Sequence, residues 1–162
     1  MDASTPVNSM AQPIAAGETA AHHAVASVPR AMAHHTAAQA LAAWRERPPE
    51  CTDVVCVLDD SERLLGTLPL GRLLSLPGEA RLGDVAERQA PRVRADTDQE
   101  RVASLALHHA LAAVPVVDAD DRLLGVVPTS ALLRILRREH VEDLHRLAGI
   151  TREAQRDRKS VV

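Results

Sequence analysis

Residues 54–74 read VVCVLDDSERLLGTLPLGRLL, and residues 113–133 read AVPVVDADDRLLGVVPTSALL. They are one pattern written twice. Asp59 matches Asp118, Arg63 matches Arg122, Gly66 matches Gly125, Pro69 matches Pro128, and Leu73-Leu74 matches Leu132-Leu133, always 59 positions apart (59 to 118, 66 to 125). Such a period marks one supersecondary unit used twice, each copy too small to bury its apolar face alone. Upstream the register slips by two, because Thr36 before AAQALAAW corresponds to Thr97 before DQERVASLAL. The slip falls in a loop, where insertion is cheap.

Each copy has the same local logic. Thr36 and Thr97 are placed as helix N-caps, whose hydroxyls accept from orphan backbone N–H groups, and Thr97-Asp98-Gln99-Glu100 fits a capping box. Apolar residues at helical spacing follow: Leu41 and Trp44, then Val102, Leu105, Ala106 and Leu111. The runs Val54–Leu58 and Val114–Val117 read as strands, closed by the acidic turns 59–62 and 118–121. Gly66 and Gly125 lie inside the next strand, where glycine signals close backbone approach. Pro69 and Pro128 suit the start of second helices over 70–76 and 129–139. The order is strand, helix, strand, strand, helix, twice, with a short helix expected over 83–87. The expected boundaries are an Ala-rich disordered leader over 1–26, repeats over 27–80 and 81–140, a late connecting helix over 141–152, and a polar tail over 153–162.

Composition narrows the function classes. The chain has 162 residues, 46% hydrophobic, enough for a core. Aromatics are 1%, with Trp44 alone, which removes the stacking platforms that single-stranded nucleic acid needs. A net charge of −3 supplies no basic field for nucleic acid or anionic lipid. No apolar run approaches the roughly 20 residues that span a bilayer, so direct membrane insertion is not expected. Two cysteines, Cys51 and Cys56, form neither a disulfide framework nor a zinc set, and a cytoplasmic setting is expected. There is no nucleophile elbow, phosphate loop or zinc motif, so no enzymatic activity is expected.

The pattern VPVVDADDRLLGVVPTSALL, preceded by VRADTDQERVASL, resembles the second half of a cystathionine-β-synthase (CBS) domain pair. The first repeat resembles the first half more loosely. Within that superfamily the likeness is to the cytosolic CBS region of MgtE-type magnesium transporters, carried by residues 96–100 (DTDQE) and by the late helix VEDLHRLAGI, 141–150. The resemblance covers about residues 28–150. It implies an α+β pair in which each repeat contributes a small sheet with helices on one side, the sheets packing together. The helical domain and membrane domain that flank the pair in that family have no counterpart here. The sequence is therefore expected to be a fragment or a free-standing regulatory module.

The resemblance also nominates two sites. Family members that hold adenosine nucleotides follow the hairpin glycine with two apolar residues, a Ser or Thr, two free positions and an Asp. Here the hydroxyl position is Pro69 or Pro128 and the carboxylate position is Arg72 or Ala131. Both ribose anchors are missing, so adenine nucleotide is the weaker ligand. The remaining pocket candidates are Ala95, Thr97, Val116, Val127 and Thr129. A cleft filled by side chains is the bland reading, and it is favoured. For Mg²⁺ the matching acids are Glu139, Glu142 and Asp143, three and four positions apart on one helix face. Against the metal stands a solvated face in which Arg134 and Arg137 neutralise those acids. The pairs His22-His23, His34-His35 and His108-His109 occupy different places in the two repeats, and neighbours on a helix diverge by about 100°, so no shared metal site is expected.

The expected function is regulation: a small ligand, Mg²⁺ ahead of adenine nucleotide, alters the geometry of a homodimer, and a membrane transporter or other effector reads the change. The dimer is expected through helix stripes at Leu70, Leu73 and Leu74, and at Leu132, Leu133 and Leu136. The alternative is a ligand-free dimerising adaptor.

Overall fold

The computed structural model describes residues 18–159, with side chains to residue 149. Twelve elements follow in order: α1 (Ala20–His23), β1 (Arg30–Met32), α2 (Ala37–Glu46), β2 (Val55–Leu58), β3 (Leu64–Leu68), α3 (Leu70–Leu74), α4 (Leu82–Val85), β4 (Val93–Arg94), α5 (Gln99–His108), β5 (Val114–Val117), β6 (Leu123–Val127) and α6 (Thr129–Lys159). Two three-stranded sheets result, ordered β1-β2-β3 and β4-β5-β6. In each, the first pair is parallel and the second antiparallel, with a register shift at the same place, Val57/Leu58 and Val116/Val117. The α+β pair expected from the repeat is the observed architecture.

Strand periodicity divides the core. Val55 and Val57 belong to the cluster beneath α2, α3 and α4, with Leu68, Leu73 and Leu82. Their neighbours Cys56 and Leu58 turn the other way and meet Val117, Leu123 and Val126 of the second sheet. On the far side Val114, Val116 and Val127 join α1, α5 and α6 through Ala20, Val102 and Ile135. The central strands are buried on both faces, hence their continuous apolar runs.

The hairpins are twins. Asp59 Oδ1 accepts from the N–H groups of Ser61 and Arg63, and Asp118 Oδ1 from those of Asp120 and Arg122. Glu62 and Asp121 take left-handed backbone, φ 62° and 66°. The turns then join: Leu64 N–H donates to Asp121 O (2.9 Å) and Leu123 N–H to Glu62 O (3.3 Å). Arg63 and Arg122 face each other where the pseudo-twofold passes.

Four expectations are corrected. The leader does not run to residue 26: residues 1–17 lie outside the described residues, but 18–26 fold onto the second sheet. Ala20 N–H donates to Thr97 O, Ala21 N–H to Ala95 O, and Val25 exchanges two hydrogen bonds with Val126 (2.8 and 3.0 Å). The segment does for the second unit what α4 does for the first, where Leu82 and Gly83 donate to His35 O and Ala33 O and Glu87 exchanges with Thr67. The second cap is Asp98, whose carboxylate accepts from Glu100 N–H, while the Thr97 hydroxyl accepts from Arg94 N–H. Since Thr36 does cap α2, the true upstream offset is 62, Thr36 to Asp98. The second helix of repeat two, the late helix and most of the expected tail are one helix, α6, of 31 residues; residues 160–162 lie outside the described residues. Finally, the stripes are not uniformly exposed: Leu73 and Leu132 are buried, Leu70 and Leu136 half-buried, and Leu74 and Leu133 stand out at 63% and 62%.

Candidate functional site

The pocket candidates do not assemble into an open cleft. Val116 and Val127 are sealed in the helix-side core with Val102, Ala131 and Ile135, and Ala95 packs against that cluster. Ala20 and Ala24, from the segment read as leader, help fill the same space. Thr97 spends its hydroxyl on Arg94 N–H. The Thr129 hydroxyl donates to Ala112 O, and the Thr129 amide donates to Asp53 Oδ2 at 2.9 Å. Both groups that could meet a phosphate there are engaged. Ala95 alone of the five lines the open hollow of about 500 Å³ formed with Arg94, Asp96, Val117, Asp118, Ala119 and Leu124. Of its two carboxyls, Asp118 is held below the usual carboxylate range by the Arg122 backbone N–H, with that of Asp120 adding to it, so it serves the turn.

The acids behave differently. Glu139 leaves α6 toward α5, and its Oε1 accepts from Gln99 Nε2 (3.3 Å). Partial burial, a hydrogen bond with Glu100 and the charges of Glu100 and Glu142 raise its pKa to about 7. The acidic neighbours of Glu139 are thus Glu100 and Glu142. Asp143 instead lies 3.9 Å from the Arg146 guanidinium. Among the described residues Arg134 and Arg137 form no ion pair; Arg138 does, with Glu18 at 2.5 Å. Nor does any group of three His, Cys, Asp or Glu side chains there converge as a ready-made metal site. A carboxylate pair of this kind can share a proton or share a cation.

A pH prediction follows. Glu139 holds its proton to about pH 7 when folded, against about 4.3 in an unfolded chain. Between those values the folded state binds the extra proton, so this group's contribution to stability is present at pH 4 and lost as pH rises through 7. Glu139→Gln is expected to flatten that part of the profile and raise the urea midpoint at pH 8. A wild-type profile no steeper than the variant's between pH 5 and 8 would refute this.

Two of the histidines hold the amino-terminal segment in place. His22 Nδ1 caps Thr19 N–H, and His23, its side chain 8% exposed, bridges Glu18 and Gln99. Cys56 is sealed between the sheets, and burial pushes its thiol up to about 12. The sequence reading gave Gln99 and Glu100 a capping role only, and it did not single out Asp53 or the arginines Arg30 and Arg92 that cross between units. Only the arginines carried a signal, the dipeptides Pro29-Arg30 and Pro91-Arg92 at the same offset of 62 (30 to 92).

Two sheets related by a pseudo-twofold, each made from strand, helix, strand, strand and helix, are the fold of CBS domain pairs. A family model for the CBS domain matches residues 82–138. The pair is similar to the cytosolic CBS region of MgtE-type magnesium transporters. Magnesium transporter MgtE of Thermus thermophilus is 35% identical over 96 residues, 59% of this chain and 21% of that protein. MgtE of Enterococcus faecalis is 31% identical over the same length and shares. The chain therefore spans about a fifth of the length of these relatives. A crystal structure of the soluble part of a magnesium transporter superposes with TM-score 0.70 and 27% identity, covering 75% of this chain and 48% of that one. The cytosolic domain of the Mg²⁺ channel MgtE in complex with ATP gives 0.68 and 28%, covering 73% and 49%. No helix among the described residues is long and apolar enough to cross a membrane.

Proposed function

We propose that this CBS pair is a non-catalytic regulatory module whose ligand is Mg²⁺, taken at the acidic surface of α6 and its neighbour α5. The feature that carries the reading is the Glu139 carboxyl, which accepts from Gln99 of α5 at 3.3 Å and whose pKa is raised to about 7 by burial, by a hydrogen bond with Glu100 and by the charges of Glu100 and Glu142. A divalent ion retaining much of its water relieves that repulsion without demanding a closed protein cage. Glu139 and Glu142 are its first contacts, with Glu100 joining from α5; Asp143 is drawn in only by giving up Arg146. Adenine nucleotide is the weaker ligand because the Thr129 amide and hydroxyl are already engaged. Exposed Leu74 and Leu133 support a homodimer through the helical faces, in which the ion changes the dimer's geometry for an effector such as a membrane transporter. The ion can do so only by binding one geometry more tightly than the other.

Calorimetric titration with Mg²⁺, ATP, ADP and AMP is the test, with sedimentation of each mixture. Mg²⁺ is expected to bind and the nucleotides to stay silent. Glu139→Gln is expected to weaken Mg²⁺ binding about tenfold, the loss of one charge-assisted contact worth roughly 1.4 kcal/mol. Silence toward Mg²⁺ from a stable dimer would replace this reading with a ligand-free dimerising adaptor, favoured by the absence of a converged metal-binding group among the described residues.

A further inference from the structure

The two units meet at both ends of their strands, in different ways. At the turn end the contacts come in symmetric pairs: Leu64 with Asp121, and Leu123 with Glu62. At the other end one contact has no twin. Asp53, in the loop before β2 of the first unit, accepts from the N–H of Thr129, the first residue of α6 in the second unit. Position 112, which matches 53 at the repeat offset, is an alanine, and α3 has no side-chain cap. No acid lies in the first turn of α6, so Asp53 supplies the negative charge that the amino end of this helix favours.

The loop holds Asp53 in place. Glu50 and Cys51 N–H groups donate to Ser27 O, and Cys51 and Val54 are buried in the layer between the sheets. Smaller side chains fill that layer at this end. It is closed by Cys51, Val54 and Ala113, with 7%, 8% and 4% exposure, whereas Leu58, Leu64, Val117 and Leu123 fill the turn end.

We propose that the Asp53–Thr129 contact is a latch that fixes the angle between α6 and the first unit, with the paired hairpins at the opposite end of the strands as its hinge. Releasing it opens this end of the layer and swings a helix roughly 45 Å long, so a small rotation at Thr129 becomes a large displacement at its far end. The device does not depend on the identity of any ligand.

The test is the distance between spin labels at Arg72→Cys on α3 and His145→Cys on α6, both exposed positions, while the native thiols are buried. With Asp53 intact one narrow distance distribution is expected. Asp53→Ala is expected to add a second, displaced population with the far-UV circular dichroism unchanged. Asp53→Asn, whose side-chain oxygen still accepts from Thr129, is expected to restore the single distance. An unchanged distribution in Asp53→Ala overturns the proposal. If that variant loses its helical signal, Thr129→Pro decides, since it deletes the amide where a helix tolerates proline. Unfolding of both would make the contact a plain strut and likewise overturn the latch.

Discussion

Gly125→Ala is expected to detach the residue 18–26 segment from the second sheet and cost about 3–5 kcal/mol, from two backbone hydrogen bonds near 1 kcal/mol each and overpacking of 1–3. A Cβ at residue 125 would stand 2.5 Å from Val25 O and 3.0 Å from Val25 C, both backbone atoms that no rotamer change can move. The chain must therefore retreat. In doing so it gives up the reciprocal Val25–Val126 hydrogen bonds and uncovers the core that Ala20 closes. The loss is a large part of the 5–15 kcal/mol that holds a small domain folded. Urea unfolding measures it, and amide exchange should show Val25 and Val126 losing protection first. Two controls fix the cause. Gly66→Ala repeats the clash in the first unit, against Glu87 O at 2.6 Å, and should cost a similar amount. Gly71→Ala on α3 meets nothing within 4 Å and should stabilise by about 0.5–1 kcal/mol as a glycine leaves a helix. A Gly125→Ala protein as stable as wild type would mean that the segment does not complete the second unit.

That glycine shows what a sequence of this kind makes readable. Gly66 and Gly125 sit at matching places inside strands, and close backbone approach is the physical reason for glycine there. Which backbone approaches was not readable. In the first unit it is the nearby Glu87, in the second it is Val25, 100 positions upstream (25 to 125). The segment that does this, residues 18–26, reads ETAAHHAVA, and it docks largely through main-chain hydrogen bonds that leave no pattern in the side chains, so it looks like leader. The same limit governs the acids. Glu139 and Glu142 share a helix and were visible as a pair. Glu100 lies on α5, and only the packing of α5 on α6 brings it to Glu139. Asp53 reaches Thr129 across the two units for the same reason. Local chemistry gave the elements and caps, and in the case of Thr97 gave the cap one residue early, because threonine and the neighbouring aspartate are both good N-cap residues.

Arg92→Ala is expected to cost about 2–3 kcal/mol, the loss of a charge-assisted hydrogen bond in a half-buried site together with an unpaired carboxylate. Arg92 Nη1 donates to Leu64 O at 2.6 Å and to Asp121 Oδ2 at 2.9 Å, and its side chain is only 20% exposed. It thus ties the first unit's third strand to the second unit's turn, at the residue whose left-handed backbone shapes that turn. Its sequence twin Arg30 reaches the corresponding carbonyl, Leu123 O, at 3.4 Å, and its other bonds, to Ala26 O and Leu124 O, are as long. Arg30→Ala should therefore cost less than about 1 kcal/mol, in the range of a long, solvent-screened contact. Arg92→Lys should recover only part of the loss, because the strongly hydrated ammonium gives up more on entering this half-buried site than the weakly hydrated guanidinium does. A double-mutant cycle between Arg92→Ala and Asp121→Ala should return a coupling of at least about 1 kcal/mol, as expected for residues in direct contact. Equal costs at Arg30 and Arg92 would mean that the repeat's symmetry, and not the shorter bonds and deeper burial on one side, sets how the units are held.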